Sequence, residues 1–75
     1  MQIYVEIPKS QTRTLEVDPQ DTIEQVKREI REKELIPTCT QRLTFREKQL
    51  DDDDILYYCG IQEGSTLHLR VSVRK

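Results

Sequence analysis

The sequence predicts an α+β domain in which one helix packs across one face of a twisted mixed sheet, with the element order β-β-α-β-β-β. Three observations support this prediction. Apolar residues alternate with polar ones at both ends of the chain, as in half-buried strands. Between these segments lies one stretch with helical periodicity. The chain has 75 residues, enough for one core between a helix layer and a sheet layer.

The first two strands form a predicted antiparallel hairpin. Residues 1–7 place apolar side chains at odd positions, and residues 12–17 resume the alternation with Leu15 and Val17 directed inward. The connection between them contains Pro8 and no Asn-Gly or Gly-Gly pair. We therefore expect a loop of three to five residues rather than a two-residue turn.

A helix of about three turns follows the hairpin. Apolar residues recur there at helical spacing, at Ile23, Val26 and Ile30. Thr22 precedes the first turn and Gln25 occupies its third position, a capping box that stabilises a helix start by about 1 kcal/mol. Pro37 marks the expected end of the helix.

Three strands are predicted in the second half, over residues 41–45, residues 48–50 and the segment after Gly64. In the last strand one set of side chains faces the core, namely Leu67, Leu69, Val71 and Val73. The other set faces outward, namely His68, Arg70, Ser72 and Arg74. An acidic loop, residues 51–54, precedes this strand and is interpreted as a solvated turn.

Composition excludes several classes of function. Twelve Lys and Arg against fourteen Asp and Glu give a formal net charge of -2, which disfavours a strongly basic nucleic-acid binder. Two cysteines, Cys39 and Cys59, with one histidine are too few for a four-ligand zinc site. We expect both thiols to be reduced, with Cys39 exposed in a loop and Cys59 filling part of the core.

Segments throughout the chain resemble the ubiquitin family, in register and without a gap. These segments are Met1-Gln2-Ile3, Thr14-Leu15-Glu16-Val17, Asp21-Thr22-Ile23-Glu24, Val26-Lys27, Lys33-Glu34, Ile36-Pro37, Gln41-Arg42-Leu43, Lys48-Gln49-Leu50, Ile61-Gln62 and Ser65-Thr66-Leu67-His68-Leu69. The resemblance implies the β-grasp fold, in agreement with the element order above, and one ubiquitin-like domain over residues 1–75.

The resemblance ends at the carboxyl terminus, and this difference bears on whether the domain is conjugated to other proteins or binds them non-covalently. Conjugated members of the family end in Gly-Gly, whereas this sequence ends at Lys75. We therefore expect a non-covalent protein–protein interaction module that forms part of a larger protein in the ubiquitin–proteasome system. Two alternatives stay open: a modifier whose Gly-Gly lies beyond Lys75, and an engineered or diverged ubiquitin scaffold without a natural partner.

The family also implies a binding face. Ubiquitin docks onto small binding domains through an apolar patch, and the matching positions here are Pro8, Thr44, His68 and Arg70. Only the histidine is retained. Pro8, Thr44 and Arg70 stand in place of the other three patch residues, and cations lie around them. The predicted interaction face comprises Arg42, Thr44, Arg46, Lys48, His68, Arg70 and Arg74. We expect a protein partner with an acidic surface or an acidic peptide. The alternative is a solubilising surface with no dedicated partner.

Several properties are not expected of this domain. No nucleophile and orienting acid accompany His68 at recognisable spacing, so we expect no enzymatic activity. We expect no cofactor, no metal and no membrane span. We also expect no binding to nucleic acid, because the sequence lacks aromatic residues beside the cations on which bases could stack. The expected state is a monomer in the cytoplasm and/or the nucleus.

Two turns depart from the family in their backbone chemistry. Ubiquitin has glycine where Leu35 and Glu47 stand here, after the helix and before the fourth strand. If these residues keep a positive φ, each costs about 1 kcal/mol. Gly60 and Gly64 stand where the family has other residues in strained turns, which offsets part of this cost.

Overall fold

The computed structural model describes residues 1–72, which form five strands and one α-helix. Their bounds are β1 Gln2–Glu6, β2 Arg13–Glu16, α1 Ile23–Glu34, β3 Gln41–Phe45, β4 Lys48–Gln49 and β5 Thr66–Val71. Two short 3-10 helices, Thr38–Thr40 and Leu56–Cys59, lie between them. The predicted order of strands and helix, and the α+β class, are confirmed.

The strands form one mixed sheet in the order β2-β1-β5-β3-β4. The two chain halves meet where β1 and β5 run parallel, and every other pair is antiparallel. Because side chains alternate along each strand, every strand has an inner face toward the helix and an outer face away from it. The candidate site lies on the outer face of β3 and β5.

The core fills the space between the inner face of the sheet and the helix. Its members are buried apolar side chains: Ile3, Val5, Ile7, Leu15, Val17, Ile23, Val26, Ile30, Leu43, Phe45, Leu50, Leu56, Ile61, Leu67 and Leu69. All but one of them are aliphatic. This packing makes the sheet a rigid platform, because each core side chain touches several others and resists displacement.

The helix begins with the predicted capping box. The Thr22 amide donates to Gln25 Oε1 at 2.9 Å, and the Gln25 amide donates to Thr22 Oγ1 at 3.4 Å. The helix ends at Glu34, three residues before Pro37, because Leu35 adopts the left-handed conformation with φ 58°. Leu35 thus keeps the positive φ that the family's glycine would adopt there, and its amide donates to the Arg31 carbonyl at 2.8 Å.

The hairpin connections differ in length. Residues 7–12 connect β1 to β2, a loop longer than the predicted three to five residues. Buried Ile7 anchors this loop, the Ser10 amide donates to the Ile7 carbonyl at 3.1 Å, and Lys9 has φ 59°. The β3–β4 connection is a two-residue turn in which Arg46 and Glu47 both have positive φ.

The expectation that Val71 faces the core is wrong, since 44% of its surface is exposed. Its partner in β3 is Gln41, whose side-chain amide donates to the carbonyls of Lys27 and Ile36 at 3.0 Å each. The inner position opposite Val71 is thus taken by a polar group tied to the helix, and β5 runs past the end of the apolar core. The prediction for Val73 falls outside the described residues.

Candidate protein-interaction face

Two strand pairs bring the central residues of the predicted face together. In the antiparallel β3–β5 pair, Arg42 lies opposite Arg70 and Thr44 lies opposite His68. Directly opposed side chains on one face of a sheet have Cβ atoms about 5 Å apart. Alternation predicts this shared face for all four residues, and the structure places them there. Their role in binding stays a prediction.

A groove runs between this part of the sheet and the β1–β2 loop. Its lining residues are Pro8, Lys9, Arg42, Thr44, Gln49, Arg70, Val71 and Ser72. None of these lining residues is a carboxylate, whereas three of them are cations. Lys9 was not among the predicted site residues, because alternation gives no information about a loop. The available signal was its position next to Pro8, which the family resemblance places at the binding patch.

Arg42 is partly held in place, whereas Arg70 is not. Nη1 of Arg42 lies 3.4 Å from the Cys39 carbonyl and 3.3 Å from its neighbour's, the Gln41 carbonyl. Within residues 1–72, Arg70 makes no hydrogen bond or ion pair through its side chain. The two guanidinium groups therefore have most of their donors available to a ligand, in a geometry that suits carboxylate or phosphate oxygens.

The structure does not bring Arg46 and Lys48 onto this face. In the β3–β4 pair Lys48 lies opposite Phe45, whose side chain belongs to the core. Cross-strand partners share one face of a sheet, so Lys48 lies on the inner side of this hairpin, away from the outer face that carries Arg42 and Arg70. The Arg46 guanidinium stacks on the Phe45 ring, with Cζ 5.0 Å from the ring centroid. Their expected place at the edge of the cationic face is corrected accordingly. Arg74 lies outside the described residues.

A carboxylate that the sequence analysis missed adjoins the face. Glu6 in β1 lies next to His68 in the parallel β1–β5 pair, and its Oε1 is 3.2 Å from His68 Nδ1. Both side chains are more than half exposed, so the pair contributes little to stability. Glu6 limits the positive charge on the β1 side of the face. The alternation of residues 1–7 predicts that Glu6 points away from the core. Only the strand order shows that His68 is its neighbour.

The main acidic cluster lies at the start of the helix, away from the groove. Asp18, Asp21 and the loop 51–54 meet there, because the Ile23 amide donates to the Asp54 carbonyl at 2.9 Å. Lys27 Nζ lies 2.6 Å from Asp52 Oδ1 in the same region. The cations of the groove and this acidic cluster therefore lie in different parts of the domain, whereas Glu6 adjoins the cationic face.

Neither cysteine forms a disulfide. Cys39 is exposed, and Cys59 is partly buried against the core, as the sequence predicts. Burial raises the pKa of the Cys59 thiol, and the Asp54 carboxylate raises this pKa further. Within residues 1–72, no group of three or more His, Cys, Asp and Glu side chains is arranged to hold a metal ion. Across the same residues, no helix has the length and apolar character needed to cross a membrane.

Comparison with known proteins agrees with the fold and with the resemblance seen in the sequence. The family model described as "Ubiquitin family" matches residues 3–74. The chain is 38% identical over 74 residues to "NEDD8-like protein RUB3" of Arabidopsis thaliana, an alignment that covers 99% of this chain and 95% of that protein. It is 42% identical over 60 residues to "Ubiquitin-like protein NEDD8" of Dictyostelium discoideum, covering 80% and 78%.

A third relative is a longer protein. The chain is 39% identical over 71 residues to "Ubiquitin-like protein 4A" of Xenopus tropicalis, an alignment that covers 95% of this chain and 48% of that protein. A similar sequence thus also occurs as about half of a larger polypeptide. On the match of almost its whole length to the family model, the chain belongs to the ubiquitin family.

Proposed function

We propose that this domain is a non-covalent interaction module that binds a protein partner with an acidic surface or an acidic peptide. The binding site is the groove between β3, β5 and the β1–β2 loop. The single observation that supports this proposal is the cross-strand pair of Arg42 and Arg70, in a groove whose lining, over the described residues 1–72, includes Lys9 and no carboxylate. Such a surface attracts an anionic partner and repels a cationic one.

The same residues make an apolar partner a poor match. Thr44 carries a hydroxyl and Arg70 a charge at the centre of the face, and both would lose water contacts against an apolar surface. An acidic side chain can replace those water contacts with charge-assisted hydrogen bonds. Ubiquitin-like domains generally bind proteins, and this face distinguishes partners by charge rather than by apolar burial.

The proposal extends to the setting of the domain. We place it within a larger protein of the ubiquitin–proteasome system, in the cytoplasm and/or the nucleus. The relative from Xenopus tropicalis supports the larger protein, because the matched region is 48% of its length. Two free thiols at Cys39 and Cys59 suit a reducing compartment. We further propose that the domain acts as a monomer, without enzymatic activity and without binding nucleic acid or membranes.

The decisive experiment is affinity capture from cell lysate with a charge-reversed control. Arg42→Glu combined with Arg70→Glu should abolish capture of acidic partners while the amide NMR spectrum stays that of a folded sheet. The matched control is Arg46→Glu combined with Lys48→Glu, which makes the same change in net charge on the opposite side of the β3–β4 hairpin. Equal loss of capture in both variants, or no loss in the first, would contradict the proposed site.

A second candidate function is a covalent modifier. The alignment with the NEDD8-like protein of Arabidopsis thaliana supports it, because that alignment covers 95% of the relative. The test is to extend the open reading frame beyond Lys75 to its stop codon and to assay the product for ATP-dependent thioester formation with a ubiquitin-type activating enzyme. A terminal Gly-Gly with thioester formation supports the modifier. A long continuation without it supports the module. An immediate stop with no captured partner supports a diverged or engineered scaffold.

A further inference from the structure

The groove offers more positive charge than one carboxylate can neutralise. Lys9, Arg42 and Arg70 line it together, and their neighbours in the lining are uncharged. A single Asp or Glu of a partner contributes one negative charge and two acceptor oxygens. A phosphorylated side chain contributes close to two negative charges at neutral pH and three acceptor oxygens. The charge balance therefore favours a phosphomonoester over a carboxylate.

The hydrogen-bond donors in the groove also match a phosphoryl group. Arg42 and Arg70 occupy opposed positions on neighbouring strands and both line the groove. The cross-strand pair Thr44 and Gln49, which brings a hydroxyl and an amide, lines it as well. Each arginine guanidinium can bind phosphate through two parallel hydrogen bonds. These bonds orient the phosphate and also offset its negative charge. The contacts of Arg42 with the Cys39 and Gln41 carbonyls limit its freedom before a ligand arrives.

Glu6 restricts how long an anion this face can accept. A second, neighbouring depression on the same sheet face is lined by Glu6, Pro8, His68 and Arg70. A carboxylate therefore lies at the border of the cationic groove. A run of acidic residues or a polynucleotide backbone that extends past Arg70 toward β1 would meet this charge. The groove is thus suited to one compact dianion. In the part of the chain that the structure describes, its lining contains no aromatic side chain on which a nucleic-acid base could stack.

We propose that the groove binds the phosphoryl group of a phosphorylated serine or threonine in a partner peptide, with Arg42 and Arg70 as the principal ligands and Lys9 as the third cation. This inference rests on the proposed function and makes its partner more specific. It predicts that phosphorylation of the partner acts as a switch, because an unmodified serine leaves the like-charged arginine pair without a counter-charge.

The test uses small probes that differ only in the acid. N-acetyl-O-phosphoserine methylamide, N-acetylglutamate methylamide and N-acetylserine methylamide are titrated into the nitrogen-labelled domain at constant ionic strength. The phosphoserine probe should shift the resonances of Arg42 and Arg70 and bind about tenfold more tightly than the glutamate probe, with no binding of the serine probe. Arg42→Gln and Arg70→Gln should each weaken phosphoserine binding by about tenfold.

Lys48→Gln is the matched control, because it removes one cation from the other side of the hairpin and should change binding by less than about twofold. Glutamate binding as tight as phosphoserine binding, through the same arginines, overturns the phosphoryl inference and leaves the acidic-partner proposal intact. Binding of neither probe, together with unchanged capture of partners by the Arg42 and Arg70 charge reversal, overturns both. Tighter binding of a thymidine octanucleotide through these arginines overturns the phosphopeptide partner in favour of nucleic acid.

Discussion

Arg42 and Arg70 lie directly opposite each other in the β3–β5 pair, on the outer face of a sheet whose inner face carries the apolar core. Like charges in this position destabilise a sheet, and among residues 1–72 the groove lining holds no carboxylate that offsets them. The core fixes the register of the two strands through Leu43 and Leu69, which pair on the inner side, so the backbone positions of the two arginines stay opposed. The fold therefore maintains a charged pair that weakens it, which is expected of a binding site.

Removing one charge of this pair should stabilise the free domain. Arg70→Gln is expected to raise the free energy of unfolding by about 0.5 kcal/mol in low salt, since the opposed charge disappears while a polar side chain is kept. The gain should shrink in 1 M salt, where charges are screened within about 3 Å. Urea denaturation measures both values. Arg70→Lys is the control and should leave stability unchanged. A Gln variant no more stable than the Lys variant at low salt would refute the repulsion.

The two-residue turn between β3 and β4 contains a second source of instability. Arg46 has φ 54° and Glu47 has φ 67°, the sign that a type I′ turn requires and that glycine adopts most readily. Glu47→Gly should raise the free energy of unfolding by about 1 kcal/mol. Glu47→Ala removes the same carboxylate but keeps Cβ, so it should bring no such gain. The comparison is made by chemical denaturation, and equal stability of the two variants would contradict backbone strain at this position.

The end of the helix offers an independent test of the same principle. Leu35 has φ 58° and is 85% exposed, so its side chain adds little to the core while its backbone is strained. Leu35→Gly is expected to stabilise the domain by about 0.5–1 kcal/mol, because relief of strain exceeds the extra freedom gained by the unfolded chain. Leu35→Ala should lie within about 0.3 kcal/mol of the parent. Thermal and urea unfolding should agree; a less stable Gly variant would show that the leucine side chain matters.

Local patterns in the sequence predicted much of this fold. Alternation identified the inner and outer sides of β3 and β5, since apolar side chains must leave water on one side only. The pair Thr22 and Gln25 identified the start of the helix, because both partners of a capping box lie within one turn of chain. The family resemblance pointed to Leu35 and Glu47 as positions where glycine is usual, and the structure shows that both have positive φ.

The residues that the sequence predictions missed or assigned to the wrong face are positioned by contacts between distant parts of the chain. Glu6 adjoins His68 only because β1 and β5 are parallel neighbours, a pairing of segments about sixty residues apart. Lys9 reaches the groove through a loop longer than predicted, and Lys48 leaves the face because the two-residue turn pairs it with Phe45. Alternation within one strand assigns a side but not a neighbour, so these placements required the assembled sheet.

The two thiols should differ in reactivity. Burial and the Asp54 carboxylate raise the pKa of Cys59, so less of it is thiolate at pH 8, and its sulfur is less accessible than that of exposed Cys39. Iodoacetamide followed by peptide mass spectrometry should find Cys39 alkylated first. Asp54→Asn should speed alkylation of Cys59, because one of the charges that opposes its thiolate is gone. Asp53→Asn is the control, and equal acceleration by both changes would exclude a specific effect of Asp54.

The raised pKa of Cys59 also predicts how stability depends on pH. The folded domain keeps the thiol proton to a higher pH than the unfolded chain does. Its contribution to stability is therefore complete below 9.0, the ordinary thiol pKa, and is lost as the pH rises through the raised value. Cys59→Ser should decline less steeply in stability above this pH than the parent. Identical slopes of unfolding free energy against pH for both proteins would contradict the shift.

The ion pair between Lys27 and Asp52 predicts an asymmetry between its two partners. Lys27 is only 6% exposed, and its ammonium lies 2.6 Å from Asp52, whose side chain is more than half exposed. Asp52→Asn should cost about 1 kcal/mol, because it leaves a buried cation without a counter-charge, although access to solvent at Asp52 moderates the loss. Lys27→Met should change stability by less, since an apolar side chain of similar length replaces the lysine and no buried ion must be desolvated.

Asp53→Asn supplies the control for this comparison, because it removes an exposed carboxylate from the same loop. Among residues 1–72, the Asp53 side chain forms no ion pair, so its loss should leave the free energy of unfolding within about 0.5 kcal/mol. Urea denaturation of the three variants ranks them. If Lys27→Met proves the most destabilising, the ion pair contributes more through attraction than it loses through dehydration of the ammonium, and the expected asymmetry is wrong.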